Sequence, residues 1–429
     1  MSLLSLADYE NILTNYGSPI YVYDEDQIRA NAKQFMETFK HYIPNFKQFF
    51  AVKATPNHHI MRILQEYNMG FDCSSLTELR LTDEMFWPAD IMYTSNYTSV
   101  EDFESILQKI DTLPYPDIKI NLDDIDGLVN LCQASKNTKI PLPQTIGFRL
   151  NPMYGETSSG IISNVFGGPE TKFGIPSNKI VDAYVAAKNK GFTKFGIHIM
   201  TGSCILDINY FKNLIDTVYQ HIDMIYKETG ICIQYIDLGG GIGIPYLPDE
   251  HPIDINLLAK TIADQIAINK EKYNIMYDSV ICMENGRYIT GPYGVLVSRC
   301  KSIKIGYNDK KFYGLDACMS NLMRPGMYGA YHKITLPRLS DTKDSEIKET
   351  ESVNVVGMLC ENNDWFAKNR ELPRGIMKND IFVIHDAGAH GHSMGFQYNG
   401  RLRSAEVLVS KINKTTKLIR DKEIIPDTF

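Results

Sequence analysis

Residues 233–246 read "IQYIDLGGGIGIPY". The first six, "IQYIDL", have the apolar and β-branched texture of a buried strand. Four glycines then fall within five residues, at Gly239, Gly240, Gly241 and Gly243. Glycine costs backbone entropy, so a strand running straight into such a cluster marks a turn with a special demand. A glycine-rich turn after a strand exposes backbone N–H groups and admits an anion such as phosphate. A tight loop with no ligand is the plainer alternative, because short glycine motifs recur by chance.

Seven more strand-like runs flank this one. They are "QFFAV" (48–52), "GFDCSS" (70–75), "DIMYTS" (90–95), "DIKINLD" (117–123), "TIGFRLN" (145–151), "KFGIHI" (194–199) and "SVICMEN" (279–285). Amphipathic stretches such as "HIMRILQEY" and "LTELRLTDEMF" lie between them. Eight alternating β/α units predict an α/β fold, a (β/α)8 TIM-like barrel over residues 25–285. From residue 286 to 429 the texture changes. "GVLVSRCKSIKIGY", "KFYGLDA", "SVNVVGML", "DIFVIHDAG" and "AEVLVSKI" are strands separated by turns, which predicts a β-rich C-terminal domain, a sandwich or barrel. The segment 1–24 carries one further strand, "SPIYVYD", which suits either domain.

Composition narrows the class. The chain has 429 residues, 44% hydrophobic and 22% charged, which suits a two-domain globular protein. The net charge is −7 and no stretch is basic, so nucleic acid is not an expected partner. No apolar run is long enough to span a bilayer, and the start "MSLLSLADYE" lacks the basic region of a signal peptide. The eight cysteines form no CxxC pair, so neither structural zinc nor disulfides are expected. A reducing, cytoplasmic setting fits.

In a barrel, chemistry gathers at the C-terminal ends of the strands. Strand one ends in Lys53, whose amine, desolvated after "FFAV", could attack an aldehyde. The ordinary alternative is a lysine snorkelling at a strand end. Asp72 and Ser74 end strand two, and Arg149 and Asn151 end strand five. His198, Thr201 and Ser203 follow strand six, and Glu284 ends strand eight. Pyridoxal 5'-phosphate would use all of these groups: a lysine for its aldehyde, a glycine turn for its phosphate, an acid for its ring nitrogen.

From "SPIYVYD" to "AEVLV" the chain resembles the fold-type III pyridoxal-phosphate decarboxylases, which act on diaminopimelate, ornithine, arginine and carboxynorspermidine. The matching pieces are "FAVKA" (50–54), "GFDCSSLTEL" (70–79), "GIHIMTGS" (196–203), "LGGGIGIPY" (238–246) and "ENGRY" (284–288). In the C-terminal part they are "RPGMY" (324–328), "GMLCENND" (357–364), "DAGAHGHSM" (386–394) and "YNGRLRSAEVL" (398–408). The resemblance implies that Lys53 forms the Schiff base and that His198 stacks on the cofactor ring. It implies that Gly239, Gly240, Gly241 and Ser203 hold the phosphate and that Glu284 pairs with the ring nitrogen. Gly286 and Arg287 follow in the same motif, and Arg287 contacts phosphate or substrate. Tyr398 reaches phosphate or substrate, and Asp72 and Arg149 support the site. Cys360 comes from the second subunit of a homodimer and protonates the product.

The sequence departs from the family pattern at several points. The usual Glu-Pro-Gly-Arg is Glu-Asn-Gly-Arg, and Asn285 in place of proline is expected to loosen the turn. His-x-Gly-Ser is stretched to "HIMTGS", leaving Thr201 and Ser203 as alternatives at the phosphate. Gly-Ala-Tyr is Gly-Ala-His, with His390 of unassigned role, and "GFDCSS" is closer to the ornithine branch.

"RPGMY" places Arg324 and Tyr328 one turn apart if helical. Arginine suits a carboxylate on the far end of a substrate, and Glu361 suits a distal ammonium. meso-Diaminopimelate carries both, so the favoured activity is its decarboxylation to L-lysine and carbon dioxide. Ornithine, carboxynorspermidine or a carrier-linked amino acid are the alternatives. A catalytically dead regulatory relative would be expected to lack Lys53 or Cys360, and both are present.

Overall fold

The computed structural model describes residues 4–83, 90–112, 118–158, 165–340 and 349–425. The "LTELRLTDEMF" helix beyond Asp83 and the first residue of the 117–123 strand lie outside the described residues. The chain divides into two compact units, Asn31–Ile244 with His251–Tyr288, and Met1–Ala30 with Pro245–Glu250 and Ile289–Phe429.

In chain order the first strand is β1 (Ile20–Asp24). The strands of the larger unit are β2 (Lys47–Ala51), β3 (Gly70–Cys73), β4 (Ile91–Ser95), β5 (Lys119–Leu122), β6 (Thr145–Asn151), β7 (Ile175–Pro176), β8 (Lys194–Ile199), β9 (Ile233–Asp237) and β10 (Val280–Met283). Eight of them run in the order β5-β4-β3-β2-β10-β9-β8-β6, and β5 pairs with β6 to close the ring. Every pairing is parallel, so this is the predicted barrel. The two-residue β7 pairs with β6 outside the ring.

The helices between strands start at side-chain caps. Asn57, Asp124, Asp207 and Asp254 accept hydrogen bonds from the first turns of His58–Glu66, Ile125–Thr138, Ile208–Thr229 and Ile255–Lys272; each such cap contributes about 1 kcal/mol. Inside the barrel, the Tyr235 ring occupies space that a larger residue would contest. A Cβ at Gly147 or Gly196 would come within 2.3 Å of the Tyr235 side chain. Those two strand glycines are therefore fixed by the Tyr235 ring.

The second unit is built on a nine-stranded sheet. Its remaining strands are β11 (Gly294–Ile305), β12 (Lys311–Leu315), β13 (Ile334–Thr335), β14 (Thr350–Val356), β15 (Trp365–Pro373), β16 (Ile381–Ile384), β17 (Ala405–Ser410) and β18 (Thr415–Arg420). The main order is β15-β14-β12-β11-β1-β17-β18, with β16 pairing with β11 and β13. β1 runs antiparallel to β11 and parallel to β17, which settles where "SPIYVYD" belongs. The helix Leu6–Tyr16, closed by a Ser5–Asp8 capping box, buries Tyr9, Ile12 and Leu13 in the core formed by β1, β11, β16 and β17. Among the described residues no helix is long and apolar enough to cross a membrane.

Candidate active site

β2 stops at Ala51, one residue earlier than its apolar run suggests, and Val52–Ala54 forms a single 3-10 turn. That turn presents Lys53, which is half-exposed. Its amine donates to Asp72 Oδ2 at 3.1 Å, on β3, and to Ser74 Oγ at 3.2 Å, just after that strand ends. The sequence suggested an amine neutralised by desolvation. Burial does pull its pKa down, but the carboxylates of Asp72, Glu284 and Glu78 outweigh it and raise the pKa above the usual lysine value. Without an aldehyde partner Lys53 is a firmly held ammonium. Asp72 is fully buried, and its Oδ1 has no hydrogen-bond partner. Burial and then the Glu284 charge push the Asp72 carboxyl up to about 7.

Glu284 follows β10 and is buried. Its Oε1 accepts from Thr94 Oγ1 at 3.0 Å, and its Oε2 lies 3.4 Å from His198 Nε2. Burial alone would raise its pKa; the His198 ring, Lys53 and a hydrogen bond from Asp237 hold it well below the usual carboxylate range. Asp237 carries the opposite shift. Burial, the Glu284 charge and the shared hydrogen bond push its carboxyl well above the usual range. The opposite shifts favour the proton on Asp237 and the negative charge on Glu284.

Asp237, Thr94 and Asn121 were not among the residues singled out from sequence. Asn121 Nδ2 donates to Thr94 Oγ1 at 3.1 Å and to Asp237 Oδ2 at 3.3 Å, and its Oδ1 accepts from Tyr235 at 2.7 Å. All four residues lie on barrel strands. The signal was available: each polar group interrupts a buried strand near its C-terminal end.

Arg149 on β6 donates to Met200 O at 3.1 Å, with its guanidinium 4.5 Å from the Phe173 ring and 4.0 Å from Asp123. In sheet register it lies beside His198, which in turn lies beside Asp237. His198 is fully buried, yet its Nδ1 has no hydrogen bond. Thr201 is buried and its hydroxyl is 2.6 Å from the Tyr210 hydroxyl. Ser203 is half-buried, and its carbonyl accepts from Thr157.

The glycine run has a structural reason before any ligand is considered. Gly239 and Gly241 have positive φ, +65° and +101°. A Cβ on Gly240 would lie 2.7 Å from Glu284 O, and one on Gly241 would lie 2.8 Å from Gly202 O. The turn is thus pressed between the segments that carry Glu284 and Ser203. Gly239 N donates to Asp237, and Gly239 O accepts from Glu284 N at 2.7 Å. Among the described residues, Gly240 and Gly241 donate no backbone hydrogen bond. Gly286 answers a similar demand, since its Cβ would meet Ala54 at 2.6 Å, beside the Lys53 turn. Arg287 opens the short helix Arg287–Thr290 and is buried.

Asn285 does not loosen its turn. Its Nδ2 donates to Gln48 Oε1 at 3.2 Å, Gln48 Nε2 donates back to Asn285 O at 3.0 Å, and Asn285 Oδ1 accepts from Ile242 N at 3.4 Å. Both side chains are fully buried. A reciprocal amide pair stands where the resemblance leads one to expect a proline.

The remaining residues of interest lie in the β-rich unit. Arg324–Tyr328 is a short helix, so these two residues are one turn apart as predicted. Arg324 is buried, Tyr328 half-buried. Cys360, Glu361 and Tyr398 are exposed. The Cys360 N–H donates to Asn399 Oδ1 at 2.7 Å, which brings the Cys360 loop to the Tyr398–Asn399 turn. Glu361 Oε1 accepts from Asn363 N at 3.0 Å. His390 has a positive φ of +55°.

These features match the chemistry of pyridoxal phosphate. Two undirected N–H groups in a glycine turn suit a phosphate, a buried ionised acid suits a protonated ring nitrogen, and a lysine stands beside an otherwise unsatisfied carboxylate. Comparison with known proteins agrees. Residues 25–291 match the family described as "Pyridoxal-dependent decarboxylase, pyridoxal binding domain". The chain is 34% identical to the diaminopimelate decarboxylase of Methanothermobacter thermautotrophicus, covering 99% of this chain and 94% of that one. It is 37% identical to Protein TabA of Pseudomonas amygdali pv. tabaci, covering 93% and 87%. The crystal structure of diaminopimelate decarboxylase from M. jannaschii in complex with L-lysine superposes with a TM-score of 0.82 at 30% identity, covering 97% and 92%. On the family match over most of its length and on this barrel site, the chain belongs to the pyridoxal-dependent decarboxylases.

Proposed function

We propose that this protein removes one carboxylate from meso-diaminopimelate to give L-lysine and carbon dioxide. The observation that carries the reading is the convergence of Lys53, Asp72 and ionised Glu284 in one barrel. Lys53 holds the cofactor aldehyde through its amine. Gly239, Gly240, Gly241 and Ser203 take the phosphate; Ser203 is preferred to Thr201 because the Thr201 hydroxyl is engaged by Tyr210. His198 stacks against the ring, and Glu284 binds the ring nitrogen in its positive form. Asp72 and Arg149 support these groups, and Gly286 lets the Glu284 segment pack close to Lys53. Arg287 and Tyr398 contact phosphate or substrate.

When bound, the cofactor supplies the electron sink for breaking the bond to the departing carboxylate. Glu284 keeps that sink positive. Cys360, contributed by the partner in a homodimer, delivers the proton to the α-carbon, and its exposure on the chain supports a position facing a second subunit. Arg324 and Tyr328 receive the distal carboxylate and Glu361 the distal ammonium. All eight cysteines are free thiols, which suits a reducing cytoplasm.

The greater identity to Protein TabA than to the Methanothermobacter enzyme favours one second reading: the same chemistry on a related amino acid. Purified protein supplied with pyridoxal phosphate decides between them. Carbon dioxide release should be fastest from meso-diaminopimelate, with L-lysine as product, and slow from ornithine and arginine. A preference for ornithine or arginine would overturn the substrate assignment. Lys53→Ala should abolish both turnover and the visible absorbance of the lysine-bound cofactor.

A further inference from the structure

The glycine motif ends in Tyr246, and this tyrosine has no part in the reading above. In the β-rich unit the Arg324 guanidinium lies 4.6 Å from the centre of the Tyr246 ring. On another side, Arg324 Nη1 is 2.9 Å from His332 Nε2. The His332 ring also meets Tyr246 edge-on, with centroids 5.3 Å apart. All three side chains are buried.

The hydrogen bonds fix the state of the imidazole. His332 Nδ1 lies 2.8 Å from His385 O, and a carbonyl only accepts, so Nδ1 carries the proton. Arginine only donates, so Nε2 accepts from Arg324 Nη1. His332 is therefore neutral, in the Nδ1–H tautomer, and its lone pair aims the guanidinium. The backbone of His332 is held as well: Arg370 Nη1 donates to His332 O at 2.9 Å, and its guanidinium lies over the Tyr331 ring at 3.8 Å.

We propose that Tyr246 and His332 are positioning residues that orient Arg324 for a substrate carboxylate, and so set specificity without touching substrate. The inference rests on the assignment of Arg324 to the distal carboxylate. A ring face and a neutral acceptor fix the direction of a guanidinium and add no negative charge of their own. The terminal tyrosine of "LGGGIGIPY" and the histidine of "YHKI" then act on the same arginine.

The test compares meso-diaminopimelate with D-lysine, which keeps the reacting end and lacks only the distal carboxylate. For holoenzyme, KM for meso-diaminopimelate and the competitive inhibition constant of D-lysine are measured in each variant. His332→Phe keeps the ring volume but removes the acceptor, and Tyr246→Leu removes the ring face. Each should raise KM at least tenfold while leaving D-lysine inhibition within about threefold, a split that corresponds to one decade in a specific interaction. His332→Gln, which restores an acceptor, should recover most of the loss, and Tyr246→Phe should stay near wild type. General misfolding would move both constants together, so equal changes in both would overturn the proposal. Arg324→Ala separates the two levels. If it leaves the ratio of the two constants unchanged, the carboxylate assignment fails and the clamp with it. If it collapses the ratio while His332→Phe and Tyr246→Leu do not, the clamp alone is wrong.

Discussion

Lys53 Nζ lies 3.1 Å from Asp72 Oδ2, and the other Asp72 oxygen is buried without a hydrogen bond. The carboxyl that steadies the lysine is thus itself poorly solvated, and burial carries it from 3.8 to about 7. A raised folded-state value means that the folded chain holds this proton more tightly than the unfolded chain does. Asp72 therefore withdraws stability as pH rises from about 4 to about 7, and the penalty is constant above that window. Asp72→Asn cannot ionise. The melting temperature of cofactor-free Asp72→Asn, relative to cofactor-free wild type, should climb across pH 4 to 7 and then level off. A difference that does not vary with pH would place the Asp72 carboxyl in the ordinary range.

The barrel was legible in the sequence because its strands are largely buried and read as mainly apolar runs. "IQYIDL" and "KFGIHI" are examples, and the helices between them are strongly amphipathic. The strands missed in the second unit lack that signal. β15, "WFAKNRELP", and β18, "TTKLIR", leave most of their residues at least partly exposed, and β13 has only two. The lysine, the acid and the glycine turn were legible as strand-end residues. Their charge states were not, because the sign of the Lys53 shift depends on how three carboxylates gather around it. Asp237 was passed over for a related reason. In sequence it is one acid within an apolar run, and its meaning comes from facing Glu284.

A shared site makes a prediction about mixed subunits. Cys360 is exposed on its own chain, whereas Lys53 sits at the barrel. Lys53→Ala and Cys360→Ala should each be nearly inactive as pure proteins. After subunit exchange, a hybrid dimer carries one site with both wild-type residues, so activity should return to as much as about a quarter of wild type if the chains mix at random. Exchange verified by mass or fluorescence with no recovery would show that Cys360 acts within its own chain or does not act.

The Gln48–Asn285 pair predicts that proline is not a neutral replacement here. Asn285→Pro keeps the carbonyl that accepts from Gln48 Nε2 but removes the Nδ2 donor, leaving the buried Gln48 Oε1 without that partner. An unsatisfied buried polar group costs about 1–3 kcal/mol. Asn285→Pro should therefore be destabilised by about that amount in urea unfolding. Gln48→Leu combined with Asn285→Pro should be less destabilised than the sum of the single changes, since the Gln48 Oε1–Asn285 Nδ2 bond is then removed from both sides at once. Strict additivity would show that the two amides act independently.

Burial and the Glu284 charge raise the Asp237 carboxyl while the His198 ring lowers Glu284, which favours the proton on Asp237. Asparagine reproduces a neutral hydrogen-bond donor, so Asp237→Asn should bind pyridoxal phosphate nearly as well as wild type. Asp237→Ala removes the donor and also the acceptor for Gly239 N, which lies 3.0 Å from Asp237 Oδ1 at the head of the glycine turn. Losing a hydrogen bond to a charged group costs about 1.5–3 kcal/mol. Cofactor affinity should then fall roughly tenfold to more than a hundredfold, at about 1.4 kcal/mol per decade. Equilibrium dialysis of the cofactor against the two variants measures the difference directly. The sign is the informative part. If Asp237 were ionised in the native protein, its replacement by asparagine would remove a negative charge beside Glu284 and weaken binding of a positive ring nitrogen. A large loss in Asp237→Asn, comparable to that in Asp237→Ala, would therefore put the proton on Glu284 and reverse the assignment of the pair.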